Sequence, residues 1–169
     1  MLSPTLNDAL NKQINEELFS AYLYLAMSAK ADSMGLAGFA NWFKFQYQEE
    51  LAHADRFFHY VLERSGQISL ESIGKPEVGD PSPLELFEMG LSHENHITKC
   101  IFSLKDLARN ESDHATDVFL EWFVNEQVEE EASAQAIIDQ LRLVKDNPSG
   151  LFLIDRQLAD RKEEEGGDA

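Results

Sequence analysis

The sequence predicts an all-α domain: a four-helix bundle with a long crossover between its second and third helices and a short fifth helix at the C-terminus. Three observations carry this. Apolar residues recur at steps of three and four over four long stretches. The fifteen residues from Gln67 to Pro81 lose that pattern and hold Gly74, Pro76, Gly79 and Pro81 instead. No run of the 169 residues alternates as a strand would, and none repeats at solenoid spacing.

Ser3-Pro4 starts the first helix, a cap residue followed by proline at the first helical position. Its stripe reads Leu10, Ile14, Glu17, Ala21, Leu25, and it is expected to run to about Ser33, with Gly35 as its stop. The second helix is expected over about 38–65, ending at Gly66, with the stripe Phe39, Phe43, Gln46, Glu50, His53, Phe57. Fifteen extended residues can then reach ~50 Å, the full length of a bundle, which leaves the second and third helices parallel. Ser82-Pro83-Leu84-Glu85 is a capping box that opens the third helix. Its stripe is Leu84, Phe87, Leu91, Glu94, Ile101, Leu104, Ala108, ending near Arg109. After the turn Asn110-Glu111-Ser112 comes the fourth, with Leu120, Phe123, Gln127, Glu130, Ala134, Ile137, Leu141. Asn147-Pro148 ends it. The apolar Leu151-Phe152-Leu153-Ile154 with Leu158 forms a fifth helix too short to stand alone. One domain is expected over residues 1–160, followed by a loose, solvated acidic tail at 161–169.

The formal charge of −17, from 31 acidic and 14 basic residues, repels phosphates and excludes nucleic acid as a partner. It suits cations. The single cysteine, Cys100, reads as a packed or idle thiol, and no Cys-x-x-Cys pair exists for a rubredoxin-type or zinc site. No signal-peptide pattern and no apolar run of ~20 residues occur, so a cytoplasmic protein without a membrane partner is expected.

Each of the four stripes is broken by acidic or amide groups: Glu17; Glu50 with His53; Glu94; Gln127 with Glu130. The helix midpoints lie near residues 19, 51, 95 and 128, and every break falls within about a turn of its own midpoint. In a bundle they share one central layer, whichever way neighbours run. Carboxylates and an imidazole buried together cannot all stay charged without cations. Mixed carboxylate and imidazole donors suit iron or manganese rather than calcium.

Here the chain resembles a known family, the non-haem ferritins of bacterial type. The resemblance covers residues 1 to about 160. It rests on Gln13-Ile14-Asn15-Glu16-Glu17, Glu49-Glu50-Leu51-Ala52-His53, Glu94, and the run from Trp122-Phe123-Val124 to Glu129-Glu130-Glu131. Ferritin-like di-iron bundles with one long crossover are a standard example of this architecture.

The resemblance implies a ferroxidase that oxidises Fe(II) with O2 or H2O2 and passes Fe(III) to a mineral core inside a 24-subunit homo-oligomeric cage. By carry-over, Glu17, Glu50 and His53 hold a first iron. Glu50 bridges to a second iron also held by Glu94, with Gln127 and Glu130 beside it. Glu49, Glu126, Glu129 and Glu130 resemble a third iron site facing the cavity, giving two to three irons per subunit. Tyr24 and Trp122 resemble an aromatic pair near the centre, whose expected part is to donate an electron or hydrogen-bond a ligand. Asp113, Asp117 and Glu121 correspond to the lining of channels through which iron reaches the interior. The fourth helix departs from symmetric di-iron sites by offering Gln127-x-x-Glu130 in place of Glu-x-x-His, so a weaker second site is expected. Haem-binding relatives place a methionine where Ala52 stands, so no haem is expected. His59, His93, His96 and His114 are scattered and read as surface or interface residues. A peroxide-consuming di-iron oxidase is the rival enzyme, weakened by the missing Cys-x-x-Cys domain.

Overall fold

The computed structural model describes residues 1–145 and 147–161. Among these, five helices occur and no strand: α1 (Pro4–Ser33), α2 (Ala37–Glu63), α3 (Pro83–Asn110), α4 (His114–Val144) and α5 (Pro148–Ala159). The expected acidic tail falls, beyond Arg161, outside the described residues.

Helix ends follow the local chemistry. Ser3 Oγ accepts from Leu6 N at 3.0 Å, and Ser82 with Glu85 completes the capping box of α3. Gly35 takes φ +76° after α1, the left-handed turn that glycine adopts at no steric cost. α2 stops at Glu63, two residues before the expected end, because Ser65 turns left-handed at φ +56°. Asp113 caps α4 through Thr116 N at 3.0 Å.

α2 has no cap of its own: Leu36 at its N-cap offers no side-chain acceptor. The Asp155 carboxylate of α5 supplies it, accepting from Gly38 N at 2.8 Å and Phe39 N at 3.1 Å. Negative charge there also suits the helix dipole. Contact is close enough that a Cβ on Gly38 would sit 1.7 Å from the Asp155 carbonyl oxygen. Asn41 donates to the Leu158 carbonyl at 3.1 Å and fixes the far end of α5.

Residues 64–82 form the crossover, and α1 holds it from end to end. Near the start of α1, Asn7 and Asn11 accept from Gln67 N at 2.8 Å and Ser69 N at 2.7 Å. Near its end, Lys30 is paired with Asp80. Those anchors are 23 residues apart on one helix, or roughly 35 Å. The chain therefore leaves α2 at one end of the bundle and begins α3 at the other, so α2 and α3 run parallel, as expected.

Two apolar clusters fill the interior. One is built on Tyr24, Met27, Phe39, Phe43, Phe87 and Ile138; the other on Leu10, Ile14, Phe57, Ile101, Leu120 and Phe123. Between them lies the layer of buried polar groups. The stripes of α2 and α4 are buried throughout as read, whereas α1 rotates slightly along its length: Leu25 is half-buried and Tyr24 takes the core position. On α3, Leu84 and Leu91 are half-buried.

Candidate metal centre

All six groups that break the stripes are buried, with Glu130 the most exposed at 6 %. Each is carried by a straight stretch of helix, so its direction is set by backbone rather than by a loop. Oxygen and nitrogen atoms of Glu17, Glu50 and His53 lie within 4.8 Å of one another, and so do those of His53, Glu126 and Glu130. His53 Nδ1 is 3.3 Å from Glu50 Oε2.

The remaining lone pairs are held by amides and one phenol. Gln13 donates to Glu17 Oε1 at 2.9 Å, and Gln46 to Glu130 Oε2 at 2.7 Å. Gln127 donates to Glu94 Oε2 at 3.0 Å and to the Glu94 carbonyl at 3.3 Å. The Tyr24 hydroxyl donates to Glu94 Oε1. One atom is left over: among the described residues, Glu17 Oε2 is the buried side-chain oxygen with no hydrogen-bond partner. An unpaired buried carboxylate oxygen is costly, and a cation between Glu17, Glu50 and His53 would satisfy it.

Burial sets the electrostatics. It raises Glu17 from 4.5 to about 7. Glu50 and Glu130 are pushed well above the ordinary carboxylate range, first by burial and then by the charge of Glu94. Glu94 is also raised by burial, against the donations of Tyr24 and Gln127. Burial lowers His53 to about 4, so its imidazole is neutral and has a lone pair to give. Burial thus favours the protonated forms of Glu17, Glu50 and Glu130, and a divalent ion would displace those protons.

The third-site carboxylates differ in their surroundings. Glu126 lies with His53 and Glu130, Glu129 is exposed, and Glu49 accepts from Arg161 Nη2 at 2.9 and 3.0 Å. Arg161, the first residue of the expected tail, also donates to Gln46 Oε1 at 2.6 Å and lies over the Trp42 ring. Tyr24 is buried among Trp42, Phe43 and His93, not against Trp122; the Trp122 ring meets His53 edge-on and carries Arg56 on its face at 4.1 Å.

Asp113, Asp117 and Glu121 do not form an open acidic cluster within the subunit. Arg64 binds Asp113 through two nitrogens at 2.9 and 3.1 Å. Lys105 lies 2.8 Å from Asp117 and 2.6 Å from Glu121, and Arg109 also reaches Asp117. His59, His96 and His114 are exposed, as read. His93 is half-buried, its Nε2 2.7 Å from Ser20 Oγ, and burial lowers it to about 4. The supporting groups Gln13, Gln46 and Arg161 were not assigned a role from sequence. A signal existed for two of them: both amides sit in or beside a core stripe, Gln13 one turn before Glu17 and Gln46 one turn before Glu50.

Residues 7–144 match the ferritin-like domain family. A protein named "Bacterial non-heme ferritin" from Bacteroides fragilis is 44% identical over 161 residues, 95% of this chain and 100% of its own. One of the same name from Staphylococcus aureus is 38% identical over 95% of this chain and 97% of its own. The chain belongs to the ferritins. Crystal structures of an open-pore ferritin from the archaeon Archaeoglobus fulgidus superpose with a TM-score of 0.95 at 46% identity, covering 96% of this chain and 100% of that one. A structure described as a humanized archaeal ferritin gives 0.94 at 48% identity, over 96% of this chain and 98% of that one. This ferritin is an iron-storage protein, and the buried layer supplies the carboxylate and imidazole groups that iron binding requires. Among the described residues no helix is long and apolar enough to cross a membrane.

Proposed function

We propose that this ferritin is a ferroxidase whose central layer binds two Fe(II) ions per subunit as substrate, oxidises them, and releases Fe(III) to a mineral store. Glu17, Glu50 and His53 take the first ion. Glu50 bridges to the second, held by Glu94 with Gln127 and Glu130 beside it. Each Fe(II) gives one electron; O2 takes two electrons and two protons to become H2O2, or H2O2 takes them to become two waters. The protein fixes the two ions side by side and leaves coordination positions open for the oxidant. Gln127 is a neutral, weak donor, so the second ion leaves readily and turnover feeds the store. Tyr24 holds Glu94 in place and is the nearest phenol to the centre for electron donation.

The observation that carries this reading is buried Glu17, which groups with Glu50 and His53 and has one oxygen, Oε2, without a hydrogen-bond partner. A third ion is assigned to Glu49, Glu126, Glu129 and Glu130, on the way to the mineral. The subunit is assigned to a cytoplasmic 24-subunit homo-oligomeric cage; Phe152 and Leu153 of α5, 59% and 67% exposed, are apolar surface that such contacts would cover. Asp113, Asp117 and Glu121 are assigned to the route by which iron reaches the interior, with Arg64, Lys105 and Arg109 beside them setting the local charge.

Anaerobic Fe(II) titration followed by O2, on wild type and Glu50→Ala, tests the reading through ferric absorbance and particle size. Saturation at two or three irons per subunit, then growth of a large soluble ferric load that Glu50→Ala slows, is expected. Oxidation that stops after those few irons would show a di-iron oxidase instead.

A further inference from the structure

A second cluster of metal-binding side chains lies outside the central layer, on the solvent face between α1 and α3. Glu16 projects from α1; His96 and Cys100 stand one turn apart on α3. His96 Nε2 lies 3.0 Å from Glu16 Oε2 and 3.6 Å from Cys100 Sγ, and donor atoms of all three fall within 4.8 Å of one another. We propose that Glu16, His96 and Cys100 form a separate site for a divalent cation of the zinc class.

Spacing and donor type both support it. Around a tetrahedral ion with bonds of about 2.0–2.3 Å, neighbouring donor atoms lie roughly 3.4–3.6 Å apart. The His96–Glu16 and His96–Cys100 separations are within about 0.4 Å of that range, and Glu16 and Cys100 offer donor atoms within 4.8 Å of each other. A thiolate with an imidazole selects zinc, cobalt or copper over the oxygen-preferring ions, and the central layer contains no sulfur. The groove beside it, about 330 Å³ and lined by Gln13, Glu16, Cys100 and Ser103 among others, leaves room for water as the fourth ligand. A plain His–Glu surface pair accounts for two of the three groups but not for the cysteine one turn on. The ion would tie α1 to α3 beside the residues that carry Glu17 and Glu94.

Cobalt(II) is the probe, because a thiolate on cobalt gives a near-ultraviolet charge-transfer band that carboxylate and imidazole ligands do not. The reduced, assembled protein is titrated anaerobically with Co²⁺. One thiolate-bound cobalt per subunit is expected, displaced by Zn²⁺. Cys100→Ser should abolish the band while cobalt at the central layer remains. His96→Ala and Glu16→Gln should each weaken the thiolate-bound cobalt by at least about tenfold. No thiolate band in wild type overturns the site. So does a band of unchanged affinity in both His96→Ala and Glu16→Gln, which would be a lone thiol binding cobalt.

Discussion

Arg161 holds Glu49 by both carboxylate oxygens, and the same guanidinium donates to Gln46, which in turn donates to Glu130. The end of α5 is thereby linked through one side chain to the central layer, across more than a hundred residues of sequence. Arg161 would compete with the proposed third iron for Glu49. Arg161→Ala should therefore tighten the third iron by about tenfold, with the first two little changed. Anaerobic Fe(II) titration resolves the three steps; an unchanged third step would show that Glu49 takes no part.

In the proposed centre Gln127, a neutral donor, would make the second site weak. Replacing it by glutamate sets a carboxylate where an amide now donates to Glu94 Oε2 at 3.0 Å. Gln127→Glu should lower the melting temperature of the metal-free protein, because two buried acids then face each other. It should also tighten the second iron by about tenfold or more and slow its transfer to the mineral. Calorimetry and stopped-flow absorbance read the two effects.

Metal binding should release protons, and metal-free stability should fall as pH rises. Folded Glu17 holds its proton up to about 7, whereas the unfolded chain loses it near the ordinary 4.5. Between those values the folded state carries the extra proton, so stability is full below about 4.5 and is lost as pH rises through about 7. Glu50 and Glu130 are raised too and act in the same direction. Asp113 and Asp117 are lowered by Arg64 and Lys105, so their contributions are lost only in more acid solution. Below about 6.5 the lowered His53 and His93 act the other way, so denaturation of metal-free protein between about pH 6.5 and 8 should show declining stability, and saturating Zn²⁺ should flatten the slope. Stability that instead increases over this interval would mean the layer is ionised without metal.

Gly38 is where α5 meets α2 backbone to backbone. Gly38→Ala drives a methyl into the Asp155 carbonyl and displaces the cap of α2. A loss of about 1–3 kcal/mol is expected. Cage size, read by gel filtration, should change with it, since α5 carries the exposed Phe152 and Leu153.

Much of this was legible because burial leaves a periodic trace. Glu17, Glu50, Glu94 and Glu130 each occupy a core position of a regular helix, and helix period alone assigns them to the interior. The crossover was legible from its length and its glycines and prolines. What the pattern does not encode is pairing between distant surface groups. Arg64 with Asp113, Lys105 with Asp117, and Arg161 with Glu49 join residues that no periodicity relates, so the cations beside these carboxylates were not legible. Small phase drift was lost as well: α1 turns just enough along its length to bring Tyr24 into the core in place of Leu25. His93 escaped for a similar reason, being half-buried at the rim of a stripe and held by Ser20.

The polar layer also divides the hydrophobic interior in two. Both apolar clusters draw side chains from all four long helices, and a layer of buried carboxylates, amides and an imidazole, flanked by Ala21, Ala54 and Ala134, lies between them. With cations neutralising that middle, the bundle melts as one cooperative block. Stripped of them, the two halves should be more weakly coupled and open more independently. Amide exchange followed residue by residue should show one protection level along α1 in the loaded protein and two in the empty one. Iron is then not only what this subunit processes but also what makes its fold a single thermodynamic unit.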